Sequence, residues 1–293
     1  MMKKIILLCI CFVGAVTLFA QNEQKEGDDM VAAGNYSGAE IMYRLCMEQD
    51  EQCLLKLFRL IQEEKIKPQS TNEFYPLINP LAQKGNAQAQ FYLGLMYFRG
   101  FGVAEDNGEG LKWIRKSVEQ NFADAQNELG MMYQSGMGVK QDYREAVDWY
   151  QKSAEQGNAD AQFHLGYMYQ NQLGVDKTSL VQKATLKKNT NFAEAEKWYK
   201  MSAGKGHAEA QFNLARMYQL GATGVSKNIP EAVIWFQKSA NQGYAEAQYS
   251  LGRMYENGSG VIKSRDKAIE WYQKAAAQGD KNAIDRLKKL KVK

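Results

Sequence analysis

The tryptophans of this chain recur at a nearly constant interval. The five positions are spaced by 36, 49, 37 and 36 residues: Trp113, Trp149, Trp198, Trp235 and Trp271. The glutamine of an A-x-A-Q motif follows the same period, at Gln90, Gln126, Gln162, Gln211 and Gln248. Two independent markers with one period indicate stacked supersecondary units, each unable to bury its apolar face alone. The sequence therefore predicts a repeat array.

Each unit reads as helix, turn, helix. The first helix carries A-x-A-Q-x-x-L-G-x-M-Y, a glycine-rich link follows, and the second helix contains the tryptophan and ends at K-x-A-x-x-G. Seven residues before each tryptophan stands a good N-cap residue: Asp106, Asp142, Asn191, Asn228 and Ser264. A glutamate follows three residues later in four units, which predicts capping boxes. All five tryptophans are predicted to be internal. The third unit carries about 13 extra residues between Lys177 and Asn191, predicted to form a surface loop, with an element that contacts the partner as the alternative.

The clearest copies are AQFHLGYMYQNQLGV, AQFNLARMYQLGATGV and AQYSLGRMYENGSGV. This pattern resembles the Sel1-like repeat, a relative of the tetratricopeptide repeat. The resemblance implies an all-α fold, a right-handed α-solenoid of stacked helix-turn-helix units. We predict that the array spans residues 74–279. A degenerate tetratricopeptide-like helical hairpin precedes it at 21–73, and a capping helix follows at 280–293.

Residues 1–20 have the pattern of a secretory signal peptide. Lys3 and Lys4 precede a run without charge from Ile5 to Ala20, which is short of the roughly 20 residues that span a bilayer. We therefore predict cleavage after Ala20, with an uncleaved anchor as the alternative, no stable membrane insertion after cleavage, and a periplasmic or secreted protein of bacterial origin. Without the two lysines, 35 basic residues face 33 acidic ones, well mixed along the chain. This balance argues against a nucleic-acid partner.

Cys46 and Cys53 are the cysteines that remain after removal of the signal peptide. On one continuous helix their Cα atoms would lie about 10 Å apart, too far for a bridge, and both would be buried thiols. If the sequence MEQDEQ between them is a turn, the two side chains face each other. Because the chain is predicted to enter an oxidising compartment, we favour a disulfide that staples the N-terminal helices.

No constellation of residues indicates an enzyme. The two histidines, His164 and His207, occupy repeat positions that vary from unit to unit, which favours surface histidines over ligands. No nucleophile elbow, P-loop, zinc-spaced cluster or dinucleotide motif is present, so we predict no catalytic residue, metal or cofactor. The resemblance implies a scaffold or adaptor that binds a protein or peptide. Two alternatives stay open, a cell-envelope hydrolase and a secreted host-interaction protein.

The partner is predicted to bind the face of the first helices that the recurring residues leave free. By resemblance to the family this is the concave face. The predicted contacts are Tyr92, Leu95, Arg99, Met131, His164, Tyr167, Arg216 and Arg253. Apolar and aromatic residues begin this row and arginines end it, so we expect an extended ligand that is apolar at one end and acidic at the other.

Overall fold

The computed structural model of the protein describes residues 20–47, 50–68, 70–175, 190–221 and 224–290. The predicted signal peptide, apart from Ala20, and most of the insertion in the third repeat lie outside the described residues. Two compact units divide the chain, Met1–Ala125 and Gln126–Lys293. Within the described residues the fold is all-α, with consecutive helices packed on one another, which confirms the predicted solenoid of helical hairpins.

Unit 1 contains six helices within its described part, and a seventh begins at its end. α1 is described from residue 20 and ends at residue 32. The others are α2 (Tyr36–Cys46), α3 (Glu51–Gln62), α4 (Tyr75–Gln83), α5 (Ala87–Arg99) and α6 (Asn107–Glu119), with a 3-10 turn at Thr71–Glu73 before α4. α1 and α2 form a hairpin that turns at Gly34, whose φ of 75° is the left-handed conformation that glycine adopts at little cost.

The disulfide between Cys46 and Cys53 is present, as predicted. It joins the end of α2 to the first turn of α3, with 5.9 Å between the two Cα atoms. Both cysteines are fully buried, and Ala20 of α1 packs against them. The disulfide therefore holds the end of α2 against the start of α3.

Replacing both cysteines by serine should lower the free energy of unfolding of unit 1 by about 2 kcal/mol. The loss is expected because the unfolded chain gains conformational entropy when the bridge is removed. The gain is modest, since the bridge closes only a short loop. Urea titration followed by circular dichroism measures it, and addition of reductant to the parent protein should give the same shift. A parent protein with two free thiols by mass spectrometry, or the same midpoint with and without reductant, would contradict this prediction.

Unit 2 is built from nine helices within its described part. They are α7 (Ala123–Ser135, which contains the boundary between the units), α8 (Tyr143–Glu155), α9 (Ala159–Asn171), α10 (Thr190–Gly204), α11 (Ala208–Leu220), α12 (Ile229–Asn241), α13 (Ala245–Asn257), α14 (Arg265–Ala277) and α15 (Lys281–Lys289). The odd-numbered helices α7 to α13 are the first helices of four repeats, and α15 is the short helix after the last repeat.

The predicted N-caps are confirmed at four of five second helices. Asp106, Asp142, Asn228 and Ser264 each accept a hydrogen bond from a backbone N–H in the first turn. Asn191 is the exception, because α10 already begins at Thr190. The backbone N–H of each confirmed cap residue donates to the carbonyl of the M-Y tyrosine in the preceding helix, at 2.8–3.0 Å. The N–H of the cap residue therefore has a hydrogen-bond acceptor without the side chain of the capping-box glutamate.

The residue after each tryptophan fills the centre of its repeat. In unit 2 these residues are Tyr150, Tyr199, Phe236 and Tyr272, all fully buried. Three of these rings lie against the glycine of L-G-x-M-Y, where an added Cβ would come within 2.7 Å of the ring at Gly130, Gly166 and Gly252. The recurring glycine thus has a steric reason, since any side chain there would collide with the ring.

The tryptophans are less uniform than predicted. Trp113, Trp198 and Trp271 are buried, whereas Trp149 and Trp235 are half-buried, so the prediction of five internal tryptophans is wrong for two. In four of the helices a lysine three residues later stacks over the indole, at 3.7–4.1 Å from the ring centroid. The lysine covers the ring face that the neighbouring helices leave open.

The glutamine of A-x-A-Q ties adjacent hairpins together. The Nε2 atoms of Gln162, Gln211 and Gln248 donate to a carbonyl eight residues earlier, in the preceding second helix, at 3.0–3.1 Å. In the second, fourth and fifth repeats, the Oε1 atom of this buried glutamine accepts from a second glutamine at the end of the same hairpin, at 2.7–2.8 Å. The fourth and fifth repeats are thereby each closed on themselves and joined to the preceding repeat.

The third repeat lacks the hydrogen bond between the two glutamines. Lys205 stands where the other repeats have glutamine, and its ammonium group bonds to the carbonyl of Gly157 instead. The Oε1 atom of Gln162 is consequently buried without a hydrogen-bond partner among the described residues. An unsatisfied buried acceptor costs about 1–3 kcal/mol.

Lys205→Gln should therefore raise the free energy of unfolding by about 1 kcal/mol, because it supplies the missing donor to Gln162. The matched variant Gln242→Lys creates the same defect in the fourth repeat and should lower stability by a similar amount. Both are measured by chemical denaturation. A stabilising Gln242→Lys, or a destabilising Lys205→Gln, would show that the glutamine pair is not a closing contact.

Candidate functional site: the first-helix face of unit 2

One surface of unit 2 carries the positions that the repeat pattern leaves variable. We call it the first-helix face and define it by Met131, Tyr167, Arg216 and Arg253, the residue between L-G (L-A in the fourth repeat) and M-Y in α7, α9, α11 and α13. Met131 and Tyr167 are each 38% exposed, and both arginines are exposed. The sequence predicted these four as exposed, and the structure places them so.

The equivalent positions of unit 1 are closed. Tyr92 and Leu95 are buried, 3% and 5% exposed, so the prediction that they lie on a free face is wrong. The ring of Tyr92 packs on Phe58 of α3, with 4.9 Å between the centroids, and Arg99 donates a hydrogen bond to Gln62 at the end of α3. The helix that covers α5 lies outside the repeat pattern, which explains why the pattern did not reveal it.

His164 is enclosed by aromatic rings. Its imidazole stacks on Tyr150, with centroids 4.9 Å apart, and contacts Phe163 at 5.3 Å. The pKa of His164 is lowered to about 4, chiefly by burial; the charge of Asp160 opposes this shift, and nearby His207 adds to it. The prediction of a surface histidine is wrong at this position, and a half-buried, neutral imidazole is poorly placed to bind a partner.

His207 has a structural role at the start of α11. Its Nδ1 atom accepts from the backbone N–H of Ala210 at 3.1 Å, which caps the helix. Its Nε2 atom lies 3.4 Å from the carboxylate of Asp160, and its ring stacks on Phe163 with centroids 4.6 Å apart. Burial lowers the pKa of His207. This histidine is also half-buried, contrary to the prediction.

Hollows lie between successive first helices on this face. One of about 360 Å³ lies between α9 and α11 and is lined by Gln170, Asn213 and Arg216 among others. The next, about 300 Å³, lies between α11 and α13, where Gln219, Ser250 and Arg253 line it. The side chain of Leu220 is 69% exposed and borders both. The surface thus offers shallow, connected grooves.

A third hollow, which the sequence analysis did not identify, lies between α13 and α15. It measures about 360 Å³, and Arg253, Asn282 and Lys289 are among its lining residues. Lys289 follows Arg253 by 36 residues, as Arg253 follows Arg216 by 37. This spacing is the sequence feature that could have indicated Lys289 as the next member of the row, although α15 lacks the glutamine and glycine that mark a first helix.

The described residues contain no group of three or more His, Cys, Asp or Glu side chains that could hold a metal ion. Among the helices of the described part, none is both long and apolar enough to cross a membrane. The residues that line the three hollows offer amides, apolar side chains, positive charge and, in the third hollow, the carboxylates of Glu256 and Asp285.

Comparison with known proteins identifies the repeat. The Sel1 repeat family model matches five consecutive segments, residues 87–122, 123–158, 159–207, 208–244 and 245–280. No curated protein matches the chain.

Among solved structures, a Sel1 repeat protein from Oxalobacter formigenes is 30% identical, with 80% of this chain and 86% of that chain covered and a TM-score of 0.66. The protein c5321, a protective antigen of uropathogenic Escherichia coli with an SLR fold, is 29% identical, with 91% and 63% covered and a TM-score of 0.42. The immunity protein Pa5087 of Pseudomonas aeruginosa is 19% identical, with 72% and 76% covered and a TM-score of 0.46.

Proposed function

Because the chain belongs to the Sel1 repeat family, we propose that it is a non-catalytic, exported scaffold that binds a protein or peptide on the first-helix face of unit 2. Sel1 repeat proteins are generally scaffolds that bind other proteins. The observation that carries the proposal is the exposed row on this face, where two apolar side chains, Met131 and Tyr167, are followed by two arginines.

Rigid support under the row favours binding. Beneath Tyr167, the ring of Tyr199 packs against Gly166. The hydroxyl of Tyr199 donates a hydrogen bond to Gln170 at 2.7 Å. Beneath Arg253, the hydroxyl of Tyr272 donates to Glu256 at 2.7 Å. A surface whose shape is held by buried contacts loses little conformational entropy when a partner binds.

Export is part of the proposal and rests on two features. The first 20 residues have the pattern of a signal peptide, and the buried disulfide between Cys46 and Cys53 is a bond typical of oxidising compartments. A fusion of residues 1–30 to a reporter that is active only after export should be active in a bacterial host. A fusion that starts at Gln21 should be inactive, and equal activity of both fusions would contradict export.

Binding is tested by site-specific photo-crosslinking. A photoreactive amino acid at Tyr167 should crosslink a discrete partner in cells, whereas the same group at Ile262, which is 91% exposed in a loop, should not. The double variant Met131→Ala with Tyr167→Ala should weaken recovery of that partner at an unchanged melting temperature. Ile234→Ala with Ile262→Ala is the matched control, because it also truncates two exposed apolar side chains. Equal loss with both pairs would contradict the proposal.

A further inference from the structure

Three positive side chains line up along the C-terminal half of the first-helix face. Arg216, Arg253 and Lys289 are exposed and occupy the same position on α11, α13 and α15. Among the described residues, neither arginine forms an ion pair. By contrast, the neighbouring Glu256 is bound by Arg286 and Tyr272, and the bond from Arg286 holds the pKa of that carboxyl below its usual range. The two arginines are therefore not held in ion pairs within the described residues, while the hollow beside Arg253 and Lys289 also contains the carboxylates of Glu256 and Asp285.

The groove beside this row can accommodate a polypeptide. Asn213, Asn257 and Asn282 line the successive hollows, and their amides can both donate to and accept from a peptide backbone. Leu220 stands between the two arginines with most of its side chain in solvent, 69% exposed. An exposed apolar side chain between two positive charges fits a ligand that alternates apolar and acidic groups.

The N-terminal edge of the same face is acidic, two helical turns before the arginines, which limits the width of the ligand. Glu209 and Glu246 lie in the first turns of α11 and α13. Burial, and secondarily the charge of Glu246, raises the pKa of the Glu209 carboxyl, consistent with carboxylates of adjacent repeats facing one another. A wide polyanion such as a nucleic acid would lie over both edges and meet this repulsion, whereas a single extended peptide can follow the basic row alone.

We propose that Arg216, Arg253 and Lys289 bind an extended acidic peptide segment with carboxylates at every third residue and apolar side chains between them. A polyproline II segment returns to the same side every third residue, so its successive carboxylates form a row on one side that can face the arginines and the lysine. This inference rests on the proposed function and adds the chemistry of the partner.

Fluorescein-labelled ELPELPE is the probe, titrated with the full chain and followed by anisotropy. It should bind at least fivefold tighter than LPEEELP, which has the same composition and charge with adjacent glutamates. Arg216→Glu with Arg253→Glu should weaken its binding about tenfold, and raising the salt from 50 to 300 mM should weaken it as well. The matched control is Arg115→Glu with Lys140→Glu, an equal change of charge at exposed sites on α6 and in the loop before α8, which should leave binding unchanged.

Equal affinity for ELPELPE and LPEEELP would overturn the inference, as would tighter binding of a single-stranded oligonucleotide of similar charge. Should the double glutamate variant fail to fold, Arg216→Gln with Arg253→Gln replaces it, and unchanged affinity in a folded variant overturns the inference. If either result occurs while the crosslink at Tyr167 persists, the scaffold function stands and only the acidic ligand fails. Loss of both the crosslink and the peptide binding would refute both.

Discussion

Tyr199→Ala is expected to lower the free energy of unfolding of unit 2 by about 3–5 kcal/mol, the usual cost of emptying a buried aromatic site. Tyr199 is fully buried, its ring lies against Gly166, and its hydroxyl donates to Gln170. At the point of contact the facing helix α9 presents Gly166, which has no side chain to fill the emptied space. Urea denaturation monitored by circular dichroism and tryptophan fluorescence measures the change.

Three further variants show whether the Tyr199 ring or the neighbouring tryptophan contributes more to stability. Tyr199→Phe removes only the hydroxyl and should cost about 1 kcal/mol, since Phe236 fills the equivalent site in the fourth repeat without one. Trp198→Ala should cost about 3 kcal/mol because Trp198 is 4% exposed, whereas Trp149→Ala should cost clearly less because Trp149 is half-buried. A larger loss for Trp149→Ala than for Tyr199→Ala would contradict this assignment of the core.

Acidification from pH 6.5 to pH 4 should destabilise unit 2 by about 3 kcal/mol through His164 alone. Burial lowers the pKa of His164 in the folded protein to about 4, below its ordinary value of 6.5. The unfolded chain therefore binds this proton first as the pH falls. The stabilisation is fully present above pH 6.5 and is lost between pH 6.5 and 4, at about 1.4 kcal/mol per pKa unit.

His207 should add to this loss in the same direction. Its pKa is also lowered, and its Nδ1 atom must remain unprotonated to accept from Ala210 and cap α11. Asparagine caps the equivalent helices at Asn86 and Asn158, so His207→Asn keeps the cap without a titrating group. His164→Asn copies Asn213 of the next repeat. Stability measured against pH should be flatter in the double variant, and parallel curves for parent and variant would exclude the histidines as the cause.

The repeat period was sufficient to predict the hairpins, because the features that start and end the helices are local. Asp142 caps its helix through its own side chain, and Gly157 ends it with a φ of 94°, so both are readable without knowledge of neighbours. The disulfide was predictable for a similar reason, since seven residues with a turn between them can bring Cys46 and Cys53 together. These statements depend on short stretches of chain.

The accessible surface was harder to predict, because it depends on what covers each position. Tyr92 and Tyr167 fall in the variable part of the same motif, yet Tyr92 is buried under Phe58 and Tyr167 is exposed. The covering helix α3 carries no repeat signature. The prediction that both histidines are on the surface was wrong for the same reason, because variability from repeat to repeat does not indicate whether a position is buried. Lys289 was missed because the helix that carries it has lost the marker residues.

The missing glutamine pair in the third repeat has a consequence for how unit 2 opens. In a stack where each hairpin touches only its neighbours, local opening begins where the closing contacts are fewest. Gln162 has one partner where Gln211 and Gln248 have two, and this repeat is also the one that carries 13 extra residues. Amide hydrogen exchange in α9 and α10 should therefore be faster than in α11 to α14. Tyr167 on α9 then lies on one side of this less stable repeat, and Arg216 and Arg253 lie on the other. A ligand that contacts both sides would oppose the local opening of the repeat.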